Sequence, residues 1–101
     1  SNTLSQMKST SYLINTSRGG LVKESDLASA LRSGTIAGAA LDVLSTEPPE
    51  HDHSLMDNSI PNLLITPHIA WISLESRKRL LDGVIGNIRS FLSGDPSNRV
   101  A

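Results

Sequence analysis

The sequence predicts an α/β domain built on a small parallel sheet, and three observations carry that prediction. Short aliphatic runs alternate with segments of helical periodicity, the signature of strand–helix–strand units. The runs are apolar nearly throughout rather than alternating, as expected for strands covered on both faces. Arg18, Glu47 and His68 follow the ends of three successive runs, and ligands of open parallel sheets bind at such ends.

The first strand is expected from Tyr12 to Asn15, in "YLINTSRGG". The second lies within Ile36 to Leu44 and starts near Ala39, where Gly38 permits a tight approach. The third runs from Leu63 to Thr66. Between the first two, "LVKESDLASALRSG" sets Leu27, Ala30 and Leu31 at i, i+3 and i+4 and predicts a helix. Glu24 and Asp26 near its start, Arg32 in its last turn and Gly34 just beyond match the helix dipole and the left-handed C′ preference. The connection between these strands is expected to cross over right-handedly.

Residues 45–62, "STEPPEHDHSLMDNSIPN", hold three of the five prolines and read as a loop with one helical turn at Leu55-Met56. From 73 to 93, Leu81, Val84, Ile85, Ile88 and Leu92 form an apolar stripe at helical spacing, opposite Arg77, Lys78, Arg79, Asp82, Asn87 and Arg89. Gly83 and Gly86 each cost such a helix about 1 kcal/mol relative to alanine, which suggests that another element approaches there. Gly94-Asp95-Pro96 ends it.

A chain of 101 residues with 38% hydrophobic content fits one domain with a modest core. Aromatic residues make up only 3%, so aliphatic side chains do the packing. A net charge of -1 leaves no footprint for nucleic acid or an anionic membrane surface. The absence of cysteine excludes disulfides, thiolate metal sites and cysteine nucleophiles and agrees with a reducing, cytoplasmic location. No apolar run approaches the roughly 20 residues of a membrane span, and the first residues lack the order of a signal peptide.

In a parallel sheet the strand ends share an edge, so Arg18, Glu47 and His68 are placed to converge. An arginine offers a two-pronged donor to a carboxylate, and a glutamate beside a histidine orients its ring for acid/base work. Each residue also has an ordinary reading as a salt-bridged or exposed loop residue, and spacing alone leaves both open. Asp42, between Leu41 and Val43, is costly to bury unless something donates to it. His51-Asp52-His53, with Glu47, Glu50 and Asp57 nearby, has ligand types suited to zinc, but no second cluster completes a set. A solvated acidic loop is the expectation there, with no metal. The strand, G-x-G-x-x-G turn, helix and distal acid of a dinucleotide-binding unit are absent as a set.

Three motifs in order, "MKSTSYLINTSRGGLV", "AGAALDVLSTEPP" and "NLLITPHIAW", closely resemble the later part of the nucleotide-binding domain of the D-isomer-specific 2-hydroxyacid dehydrogenases. The resemblance runs from about Leu4 to Val100, and the "PHIAW" and "FLSGDPSNRV" stretches look most like the glycerate dehydrogenase, or hydroxypyruvate reductase, branch. It implies a Rossmann-like doubly wound parallel sheet, here about three strands with helices, lacking the glycine-rich first βαβ unit. By the same resemblance Arg18 grips the carboxylate and carbonyl of a 2-oxo acid. His68 is the acid/base, and Glu47 pairs with it. Asp42 receives the nicotinamide carboxamide of NAD or NADP; Thr16, Ser17, Ile69 and Ala70 line the cofactor, and Trp71 lies near the substrate. Lys23 stands where the family motif more often has an acidic, asparagine or small apolar residue.

Family members are far longer than this chain and carry a separate substrate domain. Residues 1–101 are therefore expected to be the C-terminal segment of the NAD(P)-binding domain, with 73–93 its long last helix and the substrate domain absent. Little or no activity is expected of such a fragment alone. Its uncovered apolar stripe predicts self-association into a homo-oligomer. The alternative implied by resemblance is a non-enzymatic, NAD-responsive assembly domain of the C-terminal binding protein (corepressor) type.

Overall fold

A computed structural model describes residues 3–60 and 62–100, which fall into two compact units, one ending at Ala70 and the other starting at Trp71. In the first unit, β1 (Tyr12–Asn15), α1 (Glu24–Arg32), β2 (Gly38–Leu41) and β3 (Leu63–Ile65) follow in that order. The strands form a parallel sheet ordered β1-β2-β3, with Asn15 opposite Leu41 and Leu41 opposite Ile65. Short 3-10 helices at Leu4–Gln6 and Gly19–Leu21 carry no apolar period long enough to be read from sequence.

The helix α1 forms because its apolar residues share one stripe, and that stripe is what it buries. Leu27, Ala28, Ala30 and Leu31 pack with Ile36, Ala39, Leu41, Leu44, Leu55 and Ile60, and Leu27 and Ile36 are completely covered. Gly34 ends the helix at φ +67, the left-handed conformation expected of it. Arg32 reaches from the last turn to Asp57 at 2.7 Å, tying the helix to the long loop.

Two expectations about the sheet and loop are corrected. The strands are not covered on both faces: Tyr12, Ile14 and Leu64, on the side away from α1, are exposed. Aliphatic runs report that a strand can be buried, and only the elements present decide whether it is. The loop at 45–62 makes no helical turn at Leu55-Met56. Successive tight turns close there instead, by Met56 N–H to His53 O at 2.8 Å and Ile60 N–H to Asp57 O at 3.1 Å, and they drive Leu55 and Ile60 into the core.

The second unit is the helix α2 (Leu74–Leu92) with its flanks. The hydroxyl of Ser73 caps it by accepting from the Ser76 N–H at 3.1 Å, and Gly94 leaves it at φ +80. No residue of α2 is buried. Nothing among the described residues lies within 4 Å of a Cβ placed on Gly83 or Gly86, so the close approach that these glycines suggested is not found. No described helix is long and apolar enough to cross a membrane.

Candidate active site

The ladder carries three strand ends to one edge. The Asp42 N–H donates to Asn15 O at 2.9 Å and the Thr66 N–H to Leu41 O at 2.9 Å, extending the pairing one residue past each strand. Asp42 is only 4% exposed, and the donors its burial demands come from the chain beyond β3. Its Oδ1 accepts the Thr66 hydroxyl at 2.5 Å and the Ile69 N–H at 2.9 Å; its Oδ2 accepts the Ala70 N–H at 2.8 Å. The Thr66 hydroxyl, helped by the two amides against the opposing effect of burial, holds the Asp42 carboxyl below its usual range.

Glu47 and His68 meet above this carboxylate. Glu47 Oε1 accepts the Leu44 N–H at 2.8 Å, and Oε2 lies 2.7 Å from His68 Nδ1. The hydrogen bond from His68, then that from Leu44, holds Glu47 below the usual carboxylate range. An ionised carboxylate only accepts, so Nδ1 carries the shared proton and Nε2 is the ring nitrogen that Glu47 does not engage. His68 has φ 56, a left-handed backbone that a residue with a Cβ seldom adopts. Such outliers cluster at functional sites, where surrounding contacts enforce them. A cavity of about 630 Å³ is lined by Asp42, Glu47 and His68 with Leu44, Met56 and Ile65 among its apolar neighbours.

Arg18 follows β1 on the same edge but does not touch the Glu47–His68 pair. Its Nη1 donates to Ser17 O at 2.7 Å, and the side chain is exposed. Asn15, which sequence reasoning passed over, holds the turn beneath it: Nδ2 donates to Arg18 O at 2.9 Å, and Oδ1 accepts the Ser17 N–H at 3.1 Å. The signal was there, since an asparagine inside an aliphatic strand is a polar group that burial must satisfy. The two glycines after Arg18 differ. A Cβ on Gly19 would fall 2.0 Å from Leu44 C, whereas one on Gly20 meets nothing within 4 Å. Gly19 therefore lets the β1 end abut the chain leaving β2. Thr16 lines a smaller hollow of about 80 Å³ with Ile14, Leu64, Asp42 and Ala70. Trp71 belongs to the second unit, where it lines a surface hollow with Leu74 and Leu81.

His53 departs from the solvated loop expected of it. Its Nε2 lies 3.0 Å from Glu24 Oε2, with the two side chains only 14% and 10% exposed. Glu24 also accepts the Ser45 N–H at 2.7 Å and, at its other oxygen, the Ser45 hydroxyl. Burial pushes the Glu24 carboxyl up, but the Ser45 hydroxyl and amide and then His53 outweigh it and hold the group below its usual range. Read from sequence, Glu24 is only an acidic residue in the first turn of a helix. No three described His, Asp or Glu side chains are grouped to hold a metal ion.

A family profile described as "D-isomer specific 2-hydroxyacid dehydrogenase, NAD binding domain" matches residues 1–70. The chain belongs to the D-isomer specific 2-hydroxyacid dehydrogenases. It is 47% identical over 97 residues to a glycerate dehydrogenase of Methylorubrum extorquens, matching 96% of this chain and 31% of that protein. Its identity to a hydroxypyruvate reductase of Blautia hydrogenotrophica is also 47%, over 96% of this chain and 30% of that one. The solved structure of an acyclic imino acid reductase in complex with NADPH and D-Arg superposes with a TM-score of 0.82 at 37% identity, covering 99% of this chain and 31% of that chain. The chain thus spans about a third of the length of the dehydrogenases it matches. The edge fits the amide end of a nicotinamide. Asp42, whose ionised carboxylate only accepts, lines the hollow of about 80 Å³ together with Thr16 and Ile14.

Proposed function

We propose that this chain supplies the acid/base half of an NAD(P)H-dependent reduction of small 2-oxo acids to D-2-hydroxy acids, of the glycerate/hydroxypyruvate type. The observation that carries the reading is the 2.7 Å bond between Glu47 and His68, held at the carboxyl edge of a parallel sheet over a buried aspartate. The nicotinamide cofactor, when bound, supplies the hydride. Asp42, Thr16, Ser17 and the Ile69-Ala70 turn would hold its nicotinamide end, with Asp42 as acceptor for the carboxamide. With Nδ1–H held by Glu47, the imidazolium form of His68 gives its Nε2 proton to the substrate oxygen as negative charge develops there and is left as the Nδ1–H tautomer. Arg18 swings from Ser17 O to take the substrate carboxylate with its remaining donors and to stabilise that oxygen.

The glycine-rich turn that holds a pyrophosphate is not in this sequence. Residues 1–101 alone are accordingly proposed to be a C-terminal segment of the cofactor domain with little or no turnover. The test follows loss of nicotinamide absorbance with hydroxypyruvate and glyoxylate, using this chain at high concentration beside the full-length protein that contains it. Turnover confined to the longer protein and lost in its Arg18→Ala and His68→Gln forms is the expected result. A full-length protein that reduces neither acid, or an Arg18→Ala form that matches wild type, overturns the assignment.

A further inference from the structure

Two successive backbone amides, those of Leu44 and Ser45, serve two different carboxylates. The Leu44 N–H goes to Glu47 at 2.8 Å and the Ser45 N–H to Glu24 at 2.7 Å. Glu24 sits at the start of α1, far from the cavity in sequence, yet it also takes the Ser45 hydroxyl and the His53 ring. His53 is fixed in turn, because its Nδ1 accepts the Leu55 N–H at 3.3 Å and Leu55 is core. On its other side the Leu44–Ser45 peptide lies against Gly19, with no room for a Cβ between them.

From this geometry we propose that Glu24 and His53 form a latch that positions the Glu47–His68 pair through the Leu44–Ser45 main chain. The inference rests on the acid/base reading above. Clamping the 44–45 peptide restricts rotation about Leu44, and that restriction aims the Leu44 N–H at Glu47 Oε1. With Oε1 held, Oε2 presents a single direction to His68 Nδ1. A carboxylate anchored at one oxygen loses less freedom when the other engages, so pre-orientation shifts the pair toward its bonded form. The groups facing the latch carboxylate are Ser45 and His53; those facing Glu47 are the Leu44 amide and His68, with Asp42 as the neighbouring charge. Glu24 and His53 touch no reacting atom, so both are positioning residues.

The tautomer of His68 reads the latch without requiring turnover, because the hydrogen bond at one ring nitrogen sets where the proton resides. Ring 15N shifts of His68 in this chain, recorded at one alkaline pH, would be compared among wild type, Glu47→Gln, Glu24→Gln and Ser45→Ala. Glu47→Gln is expected to abolish the Nδ1–H preference. Glu24→Gln is expected to lower the Nδ1–H to Nε2–H ratio by about threefold, and Ser45→Ala by less, with the amide signals of Leu27 and Ile36 unmoved. An unchanged ratio in Glu24→Gln, beside a changed one in Glu47→Gln, overturns the latch and leaves the acid/base pair standing. No change in Glu47→Gln overturns both. Should Glu24→Gln lose its core signals, Ser45→Ala decides, and an unchanged ratio there overturns the latch.

Discussion

Glu47 and His68 come from the ends of different strands and share a 2.7 Å hydrogen bond in which the carboxylate, anchored on Leu44, fixes the direction of the ring. Replacing Glu47 with glutamine keeps the size and removes the anionic acceptor. In the full-length protein we expect kcat/KM to fall by about 10²-fold or more and the alkaline limb of the rate profile to be depressed. A profile that overlays the wild type would remove Glu47 from the proton path.

Gly19 is expected to be intolerant of any side chain. The Gly19→Ala methyl would collide with Leu44–Ser45 backbone rather than with a flexible side chain, so either the β1 end or the chain leaving β2 must move. The melting temperature should drop sharply, whereas Gly20→Ala, with open space around it, should leave it nearly unchanged. Thermal unfolding of the two variants side by side tests the contrast.

Acidification should destabilise the fold from a defined direction. Asp42, Glu47 and Glu24 are all held below their ordinary ranges in the folded chain, so the unfolded state binds protons more readily than the folded one. Their contribution is complete above the unfolded carboxylate range of about pH 4 and is lost as pH falls below it through the depressed folded values. Asp42→Asn should flatten the acid limb of a melting-temperature profile; a limb as steep as wild type would mean that other carboxylates carry it.

In the core, Leu27→Ala should cost about 2–5 kcal/mol, because Leu27 is fully buried in the cluster that also holds Ala39, Leu41, Leu55 and Ile60. Urea unfolding with an unchanged slope and a lowered midpoint is the expected signature.

Exposure of Tyr12, Ile14 and Leu64 on one sheet face adds to that of Leu81, Val84 and Ile88 on the helix unit. Apolar surface left open in this way favours self-association. Light scattering should show mass rising with concentration, less so for Leu64→Lys. A strictly monomeric mass at high concentration would count against it.

The sequence made the sheet legible because its signals are local: aliphatic runs, the Leu27/Ala30/Leu31 period and Gly34 each act within a few residues. Arg18, Glu47, His68 and Asp42 were also visible, since strand ends of a parallel sheet fall on one edge whatever the loops do. The Glu24–His53 contact was not, because it joins residues 29 apart through a loop whose turns are set by the burial of Leu55 and Ile60. Local rules assign Glu24 to the helix dipole and His53 to solvent. The bare sheet face was likewise hidden, since apolar content says nothing about which elements arrive to cover it.

The register of β2, pinned to β1 at Asn15 and to β3 at Ile65, has a chemical meaning as well as a mechanical one. Successive side chains on a strand point to opposite faces, so a slip by one residue would carry Asp42 away from Thr66, Ile69 and Ala70 and put Leu41 or Val43 in its place. A mispaired sheet of this chain could still collapse around its leucines and yet would be chemically blank. The strand pairing therefore decides whether the buried carboxylate and its three donors exist together at all.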